Sequence, residues 1–211
     1  MSFFVFLYII QFFKTKSYQD SHIAFLKMNI TRFSTLVAII VLAAMSRFLP
    51  HLPNFTPIAA TALFGGAYFT NRWQAIAVPL GAMLLSDTIR EFTTGWGFYS
   101  GMWVVYGSFT LVAVLGMTFL QKISPLRVMT AALGSSLLFF LATNFAFLYP
   151  ESVVANPSLG TYPHNLTGII ASYIAGIPFL KNQILGDLFF SGVLFGGFAL
   201  LQKRFDGLKV V

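Results

Sequence analysis

Asp187 sits inside an apolar run, Ile184-Leu-Gly-Asp187-Leu-Phe-Phe190. A carboxylate in such surroundings needs a partner, either structural or brought by a solute. Asn144, Arg47, Arg90 and Lys181 are the partners within the sequence's reach. A second acidic group lies at Asp87 and Glu91. These residues are four apart, so a helix puts them on one face with Arg90 beside them. That pattern reads two ways. It is either a local ion-pair network closing a helix end, or a site in which Asp87 faces a cavity and touches solute. The third group is Arg47, His51 and Asn54, just before Thr56-Pro57. Thr56 is a plausible cap with proline at the first helical position. The unpaired N–H groups of that helix start, with Arg47, could hold a carboxylate or phosphate. The competing reading has Arg47 reaching to headgroups and His51 in water.

The same chemistry has clear omissions. There is no cysteine, which excludes thiolate chemistry, disulfides and Cys-based metal sites. No Walker sequence, Gly-x-Ser-x-Gly elbow or His-Glu-x-x-His motif occurs. Gly95-x-Gly97-x-x-x-Gly101 has the wrong spacing for a dinucleotide fingerprint. With no nucleophile–base pair in view, the reading is a protein that is not an enzyme and takes no cofactor.

The elements that must position these groups follow from composition. The 211 residues are 57% hydrophobic and only 9% charged, with mean hydropathy +0.78. A soluble domain carries about 25% charged residues, so the chain reads as an all-α, multi-pass membrane protein whose first partner is the lipid bilayer. The net charge of +7 does not call for nucleic acid, because cytoplasmic loops of membrane proteins concentrate Lys and Arg.

Three stretches of chain are distinguished. Residues 1–27 form an amino-terminal extension, or precede a true start at Met28; their apolar run Phe3 to Phe13 is too short to cross a ~30 Å core. Residues 28–201 form the membrane domain and 202–211 a basic tail. Within the domain, spans are expected at Phe33–Phe48, Pro57–Thr70, Trp73–Ser86, Met102–Leu120, Arg127–Leu148 and Ile184–Leu201. Prolines at 50, 53 and 57 forbid one continuous helix between the first two. Asp87 to Gly101 reads as a loop. Leu166–Leu180, broken by Pro178 and closed by Lys181, reads as an interfacial or re-entrant helix. Gly192-x-x-x-Gly196 reads as a close-packing pair, within the bundle or against a partner. Trp96, Tyr99, Tyr149, Tyr162 and Tyr173 form either an interfacial aromatic belt or a stacking wall for a planar ligand.

Charge orients the bundle. With six spans and both termini cytoplasmic, only Arg47, Arg90 and Lys181 of the 13 Lys and Arg fall outside, which satisfies the positive-inside rule. The polar residues then gather in three outer loops, Arg47–Thr56, Asp87–Gly101 and Tyr149–Gln183. Elaborate outer loops over minimal inner turns point to an outward-opening site for a small solute.

Arg47-Phe-Leu-Pro-His-Leu-Pro-Asn-Phe-Thr-Pro-Ile-Ala-Ala60, with Ala62-Leu-Phe-Gly-Gly-Ala-Tyr-Phe69, resembles the signature of an uncharacterised family of small bacterial membrane proteins taken to be transporters. Ser86-Asp87, Ala142-Thr-Asn144, Ile177-Pro-Phe-Leu-Lys-Asn182 and Gly186-Asp187-Leu-Phe fit the same pattern, which adds Asn182 to the candidates. More distantly, the chain resembles the substrate-binding S components of energy-coupling-factor vitamin transporters. That resemblance implies a six-helix, S-component-like bundle in a bacterial plasma (inner) membrane. It also implies a vitamin- or micronutrient-like solute, polar or anionic, under the outer loops, and a coupling membrane subunit with two ATPases as partners. The Ala-x-x-x-Ala docking pair frequent in span one of S components is missing here. The substrate-binding candidates are thus Arg47, His51, Asn54, Asp87, Arg90, Asn144, Asn182 and Asp187. The alternative is a membrane scaffold, assembly factor or sensor that transports nothing.

Overall fold

A computed structural model describes residues 30–209; the extension at 1–27 lies outside them. Six α-helices carry the described chain. They are α1 (Ile30–Met45), α2 (Ile58–Tyr68), α3 (Arg72–Thr94), α4 (Met102–Phe119), α5 (Pro125–Thr143) and α6 (Leu166–Arg204). Short 3-10 turns follow α1, α5 and α6 at Ser46–Phe48, Ala146–Leu148 and Asp206–Leu208.

The centre of the bundle is its shortest helix. Nearly every residue of α2 is buried, and it packs against all five other helices. A helix apolar all round has no face to offer water, so it belongs inside. Its small residues let neighbours approach closely. A Cβ on Gly66 would collide with Ala113 O and Met117 N of α4, and one on Gly116 would sit 2.6 Å from Leu63 O. The bulky side of α2 meets α6 instead. Phe64 packs edge-on against Phe195 and Phe198, at 5.4 and 5.5 Å between ring centres.

Four helical segments, Ile30–Phe48, Met102–Phe119, Pro125–Thr143 and Leu166–Arg204, are long and apolar enough to cross a membrane. Their outer surfaces expose Leu42, Leu111, Leu137, Leu141, Val193 and Leu200. An apolar surface on that scale is not presented to water by a lone soluble domain. The protein is therefore a helical membrane protein.

Three expectations change. Span three does not stop at Ser86. It runs to Thr94 and ends at Gly95, whose φ of 70° closes the helix in the left-handed region. Asp87, Arg90 and Glu91 are therefore helical rather than in a loop. Leu166–Leu180 is not a separate interfacial helix. It continues without a break through Pro178 and Lys181 into the last span, giving 39 residues and a rod of about 58 Å. Finally, Thr56 does not cap α2; the helix starts beyond Pro57 with no side-chain cap. Side chains do cap other helix starts, with Asn71 Oδ1 accepting from Trp73 N at 2.8 Å and Ser124 starting α5 before a proline.

The Gly192-x-x-x-Gly196 pair closes on no other helix. A Cβ at either position would meet nothing within 4 Å among the described residues, so this face of α6 is open.

Candidate functional site

The ends of α1, α3 and α5 and the starts of α4 and α6 meet at one end of the bundle, under the three polar segments. Arg47, on the 3-10 turn after α1, reaches α3. Its Nη1 lies 2.6 Å from Asp87 Oδ1 and 2.5 Å from Ser86 Oγ. Tyr106 of α4 donates to the other carboxylate oxygen at 2.8 Å. Asp87 is 2% exposed and the Arg47 side chain 10%. Arg47 Nε is buried without a hydrogen-bond partner among the described residues. This is an interior ion pair tying three helices together, in place of the local network that the spacing of Asp87, Arg90 and Glu91 suggests.

Glu91 does a different job. Its Oε2 accepts from Gly97 N at 2.9 Å and Phe98 N at 3.0 Å. A carboxylate fixing two backbone N–H groups folds the following loop back onto α3. Gly97 permits the approach, since a Cβ there would collide with Asp87 O. Arg90 has no ion pair among the described residues and lies close enough to Tyr99 to act on it electrostatically.

Asp187 is equally buried, at 2% exposure, but none of the expected residues partners it. Ser136 of α5 donates to its Oδ2 at 2.6 Å, and the Gln183 amide lies within hydrogen-bonding reach one turn earlier. No cation among the described residues pairs with it. The proline-rich segment packs alongside. Gly186 leaves room for the backbone of Phe55 and Thr56, and Phe55 rests on Phe189 and Phe190 at 5.8 and 5.4 Å between ring centres. The remaining members of that segment face outward. His51 is exposed, its Nδ1 2.9 Å from Leu52 O, and Asn54 makes an exposed turn at φ 61°. Asn182 is half-buried on α6.

Of the candidates, Asn144 lines the cavity at this end. It ends α5, donates through Nδ2 to Phe140 O at 2.9 Å, and lies against α6 where Gly176 has no side chain to block it. The cavity measures about 610 Å³ and is walled by Tyr99, Asn144, Tyr149, Tyr162, Ser172 and Phe179 with the 157–160 turn. Its frame is fixed by hydrogen bonds between side chains and backbone. Ser172 donates to Asn144 O at 2.8 Å and Tyr149 to Thr143 O at 2.8 Å. His164, stacked on Phe147, holds Tyr149 O at 3.0 Å, and Glu151 accepts from His164 N at 3.1 Å. Asn144 Oδ1, which lies beside Gly176, and the hydroxyls of the lining residues Tyr99 and Tyr162 make no hydrogen bond among the described residues. Burial, with the Asp87 carboxylate nearby, pushes the Tyr99 phenol up to about 12, and burial also raises Tyr149 and Tyr162. All three are neutral donors at ordinary pH.

Charged residues drew the sequence reading toward Arg47, Asp87 and Asp187, which are engaged with the protein itself. The cavity is made by tyrosines, serines and glycines. Of these, only the cluster of Tyr99, Tyr149 and Tyr162 was a legible signal.

No curated protein and no solved structure matches the chain. A family model does match, over residues 27–208. The protein belongs to that family, a family of unknown function (DUF6580).

Proposed function

We propose that this protein is a multi-pass carrier of a bacterial inner membrane that binds a small solute in an outward-facing cavity, in the manner of an S component. The observation that carries this reading is the cavity of about 610 Å³ at the loop-rich end. Its size lies in the range of small-molecule sites, and its walls mix apolar surface with a few unpaired polar groups. Cytoplasmic termini follow from the placement of Lys and Arg. Six crossings require α2, too short alone, to be completed by the irregular chain on either side, a solution that membranes tolerate where protein surrounds the backbone. A coupling membrane subunit with ATPases would supply the energy.

One observation favours the alternative of a scaffold, assembly factor or sensor. The Asp87 and Asp187 carboxylates are held by protein groups, and neither they nor Arg47 line that cavity. Native mass spectrometry of protein purified in mild detergent decides between the two. A co-purified small molecule, lost when Asn144 is replaced by leucine, is the outcome expected of a carrier. A clean apo mass, with no solute that stabilises the protein in a thermal-shift screen, would reject the carrier.

A further inference from the structure

Resting on the reading of the outer cavity as a solute site, we propose that its ligand is an uncharged, ring-bearing molecule with an amide-like pattern of N–H and C=O groups, and not an anion. No Lys, Arg, His, Asp or Glu lines the cavity. An anion moved there from water would lose hydration without gaining a counter-charge, and such a transfer is strongly unfavourable. The cations at this end are placed elsewhere. Arg47 is held by Asp87, which cancels its charge. Arg90 acts on Tyr99 electrostatically but is not in the wall, and Lys181 is exposed on α6.

What the wall does offer is specific. The rings of Tyr99, Tyr149 and Phe179 and the side chain of Leu159 present flat and apolar surface, which suits a ring. Asn144 Oδ1 accepts, and the Tyr99 and Tyr162 hydroxyls donate or accept. A site with fixed, unpaired polar groups rejects analogues that leave them unsatisfied. A ligand bearing both N–H and C=O on a ring satisfies both kinds of group at once.

The test uses two matched pairs, nicotinamide with nicotinate and uridine with uridine monophosphate, on the full chain in detergent. Binding is read by thermal shift and by isothermal titration. The neutral member of at least one pair is expected to bind ten-fold or more tightly than its anionic partner. Tyr99→Phe, which deletes one hydroxyl and leaves the ring, is expected to weaken that binding several-fold; Asn144→Leu is expected to abolish it. Anionic members binding as well as neutral ones would overturn the ligand class while leaving the solute site standing. Neutral binding untouched by both variants would also overturn it. If no member of either pair binds, native mass spectrometry separates the remaining cases. An anion released from the wild-type protein overturns the class alone, and a bare protein overturns the class and the site together.

Discussion

Arg47 and Asp87, 40 positions apart in the chain, share a 2.6 Å contact inside the protein. The contact joins the turn after α1 to the last third of α3, and Tyr106 extends it to α4. Removing one member of a buried pair leaves the other charge uncompensated, at about 3–5 kcal/mol. Asp87→Ala is therefore expected to lower unfolding stability in detergent by that amount. The double variant Arg47→Met with Asp87→Leu should recover most of it, because apolar groups of similar size need no counter-charge. A loss in the double variant equal to the sum of the losses of Arg47→Met and Asp87→Leu alone would show that the pair contributes no coupling.

Tyr106→Phe probes the other oxygen of the same carboxylate. The ring keeps its packing, and only the donor at 2.8 Å is lost. A buried acceptor left short of a partner costs about 1–3 kcal/mol. The effect should vanish in the background of Asp87→Leu, where no carboxylate remains to satisfy. A thermodynamic cycle over the two positions measures it.

Much of the helical frame was legible in the sequence because apolar runs and their punctuation are local signals. Met102–Leu120 was expected and Met102–Phe119 is observed. Errors came where one residue type carries two meanings. Asp87, Arg90 and Glu91 read as a loop because they are charged, yet a helix carries such groups when Arg47 and a folded-back loop receive them. Pro178 read as a break, yet α6 continues through it, since a single missing N–H need not end a long helix packed along its length. The site was legible by residue and not by pairing. Asp187 was conspicuous, whereas Ser136 is one serine in a stretch of small residues and gives no sign that it faces a carboxylate 51 positions away.

Ser136 and Asp187 should respond unequally to substitution. Ser136 Oγ lies 2.6 Å from Asp187 Oδ2 and 3.1 Å from Ala132 O, so it has a second acceptor in its own helix. Asp187 has only Gln183 in reserve. Ser136→Ala is expected to cost about 1–3 kcal/mol. Asp187→Asn keeps an acceptor for Ser136 and removes a charge that no cation faces, so its cost should stay under about 1 kcal/mol. Asp187→Asn abolishing solute binding with stability intact would reassign Asp187 to the solute site.

The open and closed glycines of the bundle make opposite forecasts. Gly66→Ala and Gly116→Ala insert a methyl into backbone atoms of the facing helix. Neither backbone can yield without moving α2 against α4, so losses of about 1–3 kcal/mol or more are expected. Gly192→Ala and Gly196→Ala meet nothing and remove a residue that disfavours helix by up to about 1 kcal/mol. They should leave the stability of the isolated protein unchanged or raised. A loss at Gly196 in dilute detergent would mean that this face is covered by something other than the described residues.

Alkaline stability offers a check on Tyr99. The residue as a whole is half exposed, but its phenol is pushed up to about 12, first by desolvation and then by the Asp87 carboxylate and Tyr149, against the opposing pull of Arg47 and Arg90. In the unfolded chain the phenol ionises near the usual value of about 10. Between those values the unfolded state has lost a proton that the folded state keeps, so stability must fall as pH rises. The contribution is intact below pH 10 and lost as pH approaches 12. Tyr99→Phe removes this titration, and its stability should decline less steeply than the wild type across that window. Unfolding midpoints measured from pH 9 to 12 for both proteins provide the test. Parallel curves would mean that the Tyr99 hydroxyl is freely solvated, and the cavity wall would then lose one of its neutral donors.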